Sequence, residues 1–356
     1  MKGISKEKLD LVRKGVVIPA SPLAVTAGRK FDQLRQEALM RYYVDSGVGG
    51  VAVGMHFTQF EISNPGINMY EPVLSSCARA LDDFAGKRKK TIVKIAGFNG
   101  TTENARKQAE IAVNLGYDFG IVSMGCFKGA MLQDMVHHIK ELARIIPLFG
   151  FYLLTGVGGV VLPYRFWREI AEIDNVYGIK IAPFNRYFTL DVCRAVVDAG
   201  KEDVITLYTG NDESIVHDLI TPFRFVVNGK EKTVRIKGGI LGFWACWTSK
   251  AVELLNEIHR LVDENQSISP ELLTLAAQLT DANAALFDPI HDYAGSIPGV
   301  NEILRRQGIM ENNYTLKYDE VLSPGQLEEI DRVTKAYPHL QDDAFVAKNL
   351  HEWLKA

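Results

Sequence analysis

Lys180 lies inside VYGIKIA, the run from Val176 to Ala182, where its neighbours are the apolar and β-branched residues of a strand buried on both faces. A charged, unpaired ammonium is costly in such a place. Desolvation disfavours the charged form and lowers the pKa, and a neutral amine attacks the carbonyl of a 2-oxo acid or aldehyde. The product is a Schiff base whose protonated nitrogen accepts the electrons released when an adjacent carbon bond breaks. Forming and collapsing the carbinolamine requires a proton shuttle, and the hydroxyl of Tyr152, in the apolar run before Lys180, has suitable chemistry. The competing reading pairs Lys180 with a strand-end carboxylate and gives it no chemistry.

Either role needs a scaffold that brings strand ends together. From Gly15 onward, short β-branched runs alternate with amphipathic helical stretches, the rhythm of βα units around a parallel sheet. The runs are GVVIPAS from Gly15, GVAVG from Gly50, TIVKIAG from Thr91, FGIVSM from Phe119, LFGFYLL from Leu148, VYGIKIAP from Val176, VITLYTG from Val204 and GGILGFW from Gly238. Their number is the one that closes a (β/α)8 barrel, the TIM barrel, with room for a helix after each. No run is followed by GxGxxG, which counts against an open doubly wound sheet. RKFDQLRQEALMRYYVDSG predicts a helix stopping on Gly47, and TTENARKQAEIAVNLG one with a Thr cap stopping on Gly116.

Two segments break the rhythm. FRFVVNGKEKTVRI, near 223–236, centres Asn-Gly between strand-like residues and predicts a hairpin inserted at the barrel's bottom face, a position suited to a subunit contact. After the barrel, which with its short N-terminal segment is expected over 1–248, residues 249–356 read as helices alone. They predict a C-terminal helical extension packed on the barrel.

Active sites of such barrels form where strands end and loops begin. That places Ser21, His56, Thr58, Asn99, Ser123, Cys126, Asn185, Arg186, Thr209, Asn211 and Trp244 among the candidates beside Lys180 and Tyr152. Arg186 could grip an anionic group bidentately, and Trp244 and Trp247 could wall a pocket. Lys94 is a second lysine in a strand run and reads as an internal ion-pair partner.

Composition narrows the partners. The chain has 356 residues, of which 47% are hydrophobic and 23% charged, with a net charge of -3, so it has globular composition and no broad electrostatic pull towards nucleic acid or anionic membrane. Its start lacks the apolar core of a signal peptide, and no run approaches a membrane span, so a cytoplasmic location is expected. Cys77, Cys126, Cys193 and Cys246 are far apart and form no CxxC pair, which argues against a disulfide framework and a zinc site.

Gly178 to Lys180, preceded by Asn175 and with Tyr152 on the run before, resembles the dihydrodipicolinate synthase and N-acetylneuraminate lyase family of Schiff-base barrels. VVIPASPL, SGVGGVAVG, YTGND and IPGVNEILRRQG carry the likeness along most of the chain. The resemblance implies that Lys180 forms the Schiff base and Tyr152 relays protons, on a pyruvate-type 2-oxo acid, without metal or cofactor, in a homo-oligomer (a dimer or tetramer). Met55, His56, Thr58, Asn185, Arg186, Thr209, Gly210 and Asn211, grouped where strands end, are the residues expected to bind substrate. The chain departs from the pattern at GMHFTQFE from Gly54, where the family has Gly-Thr-Thr-Gly-Glu. Met55 and His56 stand in the threonine positions, so His56 could take over the carboxylate or acid/base duty. SMGCFKGA lacks the family's tyrosine and LLTGVGG its arginine, which argues for a lyase or aldolase with a changed substrate. Two further readings stand beside it. One is a catalytically silent metabolite-binding relative; the other is an isomerase of phosphorylated sugars with backbone amides near Gly210 and Gly242 holding phosphate.

Overall fold

The computed structural model describes residues 3–355. Its strands are β1 (Val17–Pro19), β2 (Gly50–Val53), β3 (Val93–Phe98), β4 (Phe119–Val122), β5 (Leu148–Leu153), β6 (Val176–Ala182), β7 (Thr206–Thr209), β8 (Phe223–Val227), β9 (Lys230–Val234) and β10 (Ile236–Leu241). Eight of them form one sheet in the order β1, β10, β7, β6, β5, β4, β3, β2. A parallel bridge between Ala20 and Ala52 joins the two ends of that order. This is the (β/α)8 barrel that the eight apolar runs predict. The remaining pair, β8 and β9, is antiparallel, and Asn228 and Gly229 turn it with φ values of 51° and 74°. Positive φ at both central residues is what a tight hairpin requires, and Asn-Gly supplies it at little strain.

The chain divides into two compact units. The first joins the residues up to Val16 to Val93–Ile240 and carries β3 to β9 with most of β10. Its barrel strands β3, β4, β5 and β7 are short and buried on both faces, which is why they read as unbroken apolar runs rather than alternating ones. Register fixes what points inward. Phe149 on β5 is level with Gly178 on β6, and Gly178 with Thr206 on β7. The Phe149 ring meets Phe119 edge-on at 5.2 Å and Tyr208 at 5.6 Å, giving an aromatic floor across the strands. Gly178 is what lets Phe149 lie there, since a Cβ at that position would sit 2.2 Å from the ring. The Tyr208 hydroxyl completes the floor by donating to the Val12 carbonyl at 2.8 Å.

The second unit joins Val17–Ile92 to Leu241 and the residues after it. Asp32 caps the helix Gln33–Ser46 by accepting from the Arg35 amide, and Gly47 ends it in the left-handed conformation. The helices expected over residues 249–356 appear as Thr248–Asp263, Pro270–Phe287, Ser296–Arg306, Gln326–Ala336 and Asp343–Trp353. The last of them is tied to the helix Gln33–Ser46 by buried polar and aromatic contacts. The Tyr42 hydroxyl donates to Asp342 at 2.8 Å, and its ring lies 5.3 Å from that of Trp353. The Arg41 guanidinium donates to the Trp353 carbonyl.

Gly178→Ala is expected to overpack the aromatic floor and cost about 1–3 kcal/mol. A lower urea midpoint at unchanged slope would register that loss.

Candidate active site

Lys180 is the fifth residue of β6, level with Phe151 on β5 and Tyr208 on β7. Two residues above Gly178, it points to the same face as the aromatic floor and stands one layer higher, towards the strand ends. It is 6% exposed, and its Nζ lies 4.5 Å from the centre of the Phe151 ring. Burial pushes its pKa down to about 8, against the opposing pull of the Asp212 carboxylate. A glycine beyond β7 makes room for it. A Cβ at Gly210 would lie 2.6 Å from Lys180 Cε and 2.7 Å from Ala182 Cβ.

The same alternation sends Tyr152 away. Tyr152 is level with Ile181, and Ile181 with Thr209, so these three share the face opposite to Lys180. The Tyr152 ring stacks on Phe188 at 5.6 Å and lies 5.3 Å from Trp167, both on surrounding helices, while its hydroxyl accepts from the Leu162 amide at 3.2 Å. Burial pushes its pKa up to about 12. The expectation that Tyr152 relays protons to Lys180 is corrected by this placement. The β5 residue that faces the amine is Phe151, which has no exchangeable proton.

Three of the expected substrate contacts belong to a buried polar network around Asp218, in the helix Ile215–Ile220. Asp218 is fully buried and accepts from Thr209 Oγ1 at 2.6 Å, from Asn211 Nδ2 at 2.9 Å and from the Arg186 guanidinium. Burial pushes its carboxyl up, and the Arg186 charge and these hydrogen bonds work the other way. Asn211 also donates to Thr189 Oγ1 at 3.0 Å, while its Oδ1 accepts from the Phe184 amide at 3.1 Å. Phe184 has φ 50°, unfavourable for an aromatic residue, so the contact pins the loop after β6 in a shape it would otherwise leave. Asn185 caps the helix Arg186–Asp198 by accepting from the Tyr187 and Phe188 amides. Thus Asn185, Arg186, Thr209 and Asn211 hold the loops in place rather than reach towards a ligand beside Lys180. Gly210 alone of that group adjoins the amine.

Met55, His56 and Thr58 lie in the second unit. Met55 is buried, and the Thr58 hydroxyl is engaged twice, accepting from the Gly54 amide at 2.9 Å and donating to the Ser21 carbonyl at 2.7 Å. Thr58 therefore staples its loop. His56 is half-buried, with its ring 5.4 Å from that of Phe57 in an edge-on contact. Trp244 and Trp247 line an apolar cavity of about 280 Å³ with the helices Thr248–Asp263 and Pro270–Phe287.

Sequence reasoning missed Phe151, Asp212, Glu213 and Asp218. Glu213 follows Asp212 directly, and burial, with the Asp218 and Asp212 charges adding to it, pushes its pKa up to about 8. Two carboxyls after one strand, in GNDES, were the available signal. Among the described residues no cluster of three His, Cys, Asp or Glu side chains could hold a metal ion, and no helix is long and apolar enough to cross a membrane.

No protein-family model and no curated protein matches the chain. Solved structures do. A monomeric dihydrodipicolinate synthase variant shares 18% identity over 92% of this chain and 98% of its own, with a TM-score of 0.70. The dihydrodipicolinate synthase of Acinetobacter baumannii, solved with pyruvate, shares 19% over 90% of this chain and 98% of its own, at 0.70. The N-acetylneuraminate lyase of Fusobacterium nucleatum, also solved with pyruvate, shares 15% over 91% of this chain and 97% of its own, at 0.68. At these identities the likeness is one of fold.

Tyr152→Phe is expected to cost about 1–3 kcal/mol, by leaving the buried Leu162 amide unpaired. It should leave chemistry at Lys180 within about threefold of the parent, since the lost hydroxyl faces outward; a tenfold drop in adduct formation would return Tyr152 to the site. Asp218→Ala strands Arg186 and two further donors, and a loss of about 3–5 kcal/mol in denaturant titration is expected.

Proposed function

We propose that the protein is a Schiff-base-forming lyase or aldolase acting on a pyruvate-type 2-oxo acid, with Lys180 as its nucleophile. The observation that carries this reading is a lysine buried at the C-terminal end of a barrel strand with its pKa lowered to about 8. A few per cent or more of such an amine is neutral at pH 7, far above the fraction for an exposed lysine. The fold shared with proteins solved with pyruvate adds weight to a 2-oxo acid as the electrophile.

In this mechanism neutral Nζ attacks the C2 carbonyl, and the oxygen gains a proton as the carbinolamine forms. Loss of water leaves a protonated imine. Removal of a C3 proton then gives an enamine that adds to an aldehyde, and the reverse sequence cleaves the same carbon–carbon bond. With Phe151 at the facing position, we assign proton exchange at the amine to Asp212, the carboxylate whose charge acts on Lys180. Asn185, Arg186, Thr209 and Asn211 act through loop rigidity and touch no substrate.

A second reading is a silent relative that binds a metabolite without turnover. It is favoured by one observation, the phenyl ring standing where a hydroxyl would serve the amine.

Incubation with pyruvate and borohydride separates the two. Mass spectrometry should show one adduct, localised to Lys180 and absent in Lys180→Ala. Its initial rate should rise with pH and level off above about 8, because the neutral amine reacts. Asp212→Asn removes a charge that raises the lysine's pKa, so its profile should shift to lower pH. Pyruvate-induced thermal stabilisation that survives Lys180→Ala, with no adduct from any 2-oxo acid tried, would instead establish the silent relative. Stability carries the same signature. The unfolded chain binds the Lys180 proton more tightly than the folded one, so this residue's contribution rises with pH from about 8 towards the ordinary lysine value of 10.5.

A further inference from the structure

The alternation that sets Phe151 beside the amine also sets a hydroxyl at its height, within the first unit. Gly120 on β4 is level with Leu148 on β5, and a Cβ at Gly120 would lie 3.0 Å from the Leu148 side chain, so both face outward with Tyr152. Ile121 is level with Phe149 and shares its inward face. Ser123 stands two residues above Ile121, and its amide donates to the Phe98 carbonyl at 2.9 Å, so the ladder between β3 and β4 still fixes its direction. It therefore lies one layer above the aromatic floor, as Phe151 and Lys180 do. We propose that the Ser123 hydroxyl binds the carboxylate of the 2-oxo acid condensed on Lys180, which rests on the Schiff-base reading of that lysine.

This hydroxyl is buried and uncommitted. Ser123 is 5% exposed, close to the 6% of Lys180. Its Oγ accepts from the Gly125 amide in a long contact of 3.4 Å, and among the described residues its proton has no acceptor. A buried hydroxyl that accepts without donating is completed by a ligand. The neighbouring hydroxyls are spent. Tyr208, level with Lys180, donates downward to the Val12 carbonyl, Thr209 donates to Asp218, and Tyr152 is turned to the helices. Glycine holds the loop above Ser123. A Cβ at Gly125 would lie 2.6 Å from the Gly158 carbonyl oxygen and 3.6 Å from Ser123 Oγ, so only glycine lets the loop after β4 rest on the loop after β5 there.

Reach and charge select the carboxylate. Ser123 follows β4 and Lys180 lies on β6, with β5 between, so their backbones are about 10 Å apart along the sheet at the usual strand spacing. A three-carbon acid joined to the lysine tip fits that interval. Asp212 and Glu213 follow β7, on the other side of β6, so an acid turned towards β4 keeps its charge away from theirs. Phe151, on the strand between, offers no competing acceptor. Of the oxygens on a 2-oxo acid, the carboxylate accepts the stronger, charge-assisted hydrogen bond. It also persists, whereas the ketone oxygen leaves as water when the imine forms. A donor to the carboxylate thus holds every intermediate in one orientation.

Borohydride trapping on the full chain tests this, with pyruvate and acetone, a ketone that has no carboxylate, as probes and Lys180→Ala as the blank. In Ser123→Ala the ratio of trapping efficiencies, pyruvate over acetone, is expected to fall at least about tenfold, as loss of a hydrogen bond to a charged group requires. The half-saturating pyruvate concentration should rise by more than the saturating rate falls, because the contact is made before and after condensation. A smaller fall in the ratio, or a loss shared equally by both ketones as a merely structural role would give, overturns the proposal. Should Ser123→Ala unfold, Ser123→Cys, a weak donor of similar volume, supplies the same comparison. A parent chain that forms no Lys180 adduct with pyruvate overturns the Schiff-base reading itself, whereas a parental adduct with an unchanged ratio in the variant removes the role of Ser123 alone.

Discussion

An ammonium ion surrounded by carbon cannot keep its hydration, and the region around Lys180 is shaped by that penalty. The floor of Phe119, Phe149 and Tyr208 shuts water out from below, and Phe151 flanks the nitrogen. Asp212 supplies the counteracting charge, leaving a pKa near 8 rather than a deeper fall or an ordinary lysine value. Glycine is needed twice to fit so long a side chain among aromatic rings, at Gly178 for the floor and at Gly210 for the lysine stem.

Strand parity decides which side chains surround that amine. In register, β5, β6 and β7 give one inward set, Phe149, Phe151, Gly178, Lys180, Thr206 and Tyr208, and one outward set that includes Tyr152, Ile181 and Thr209. The outward set meets helices. Thr209 there becomes a donor to Asp218, and through Asn211 the same carboxylate restrains Phe184 in the loop after β6. A charge buried behind the sheet thereby stiffens the loops on either side of the amine. Breaking such a network costs more than forming it gains, since the remaining partners stay buried.

The fold was legible in the sequence because its signals are local and repeated. Each strand is a short apolar run bounded by glycine or polar residues, and Gly47 and Gly116 mark helix ends in the left-handed conformation that glycine favours. Lys180 was legible because it is the polar exception in such a run. Its surroundings were not, for one physical reason: LFGFYLL is apolar on both faces, so nothing in it says which of Phe151 and Tyr152 looks inward. Only pairing with β6 decides, and a shift of one residue exchanges the two faces. Asp218 was hidden differently. VHDLI reads as a short surface helix, and its aspartate is buried only because Thr209, Asn211 and Arg186 converge on it from other segments.

The ring of Phe151 has a quadrupole whose negative face attracts a cation, by about 0.5–2 kcal/mol depending on solvation. The attacking amine is uncharged and gains nothing from it, whereas the condensed product accepts electrons only as the protonated, positively charged imine. A phenyl group 4.5 Å away would then act less on the attacking amine than on its condensed product, lengthening the lifetime of that cation without taking part in any proton transfer.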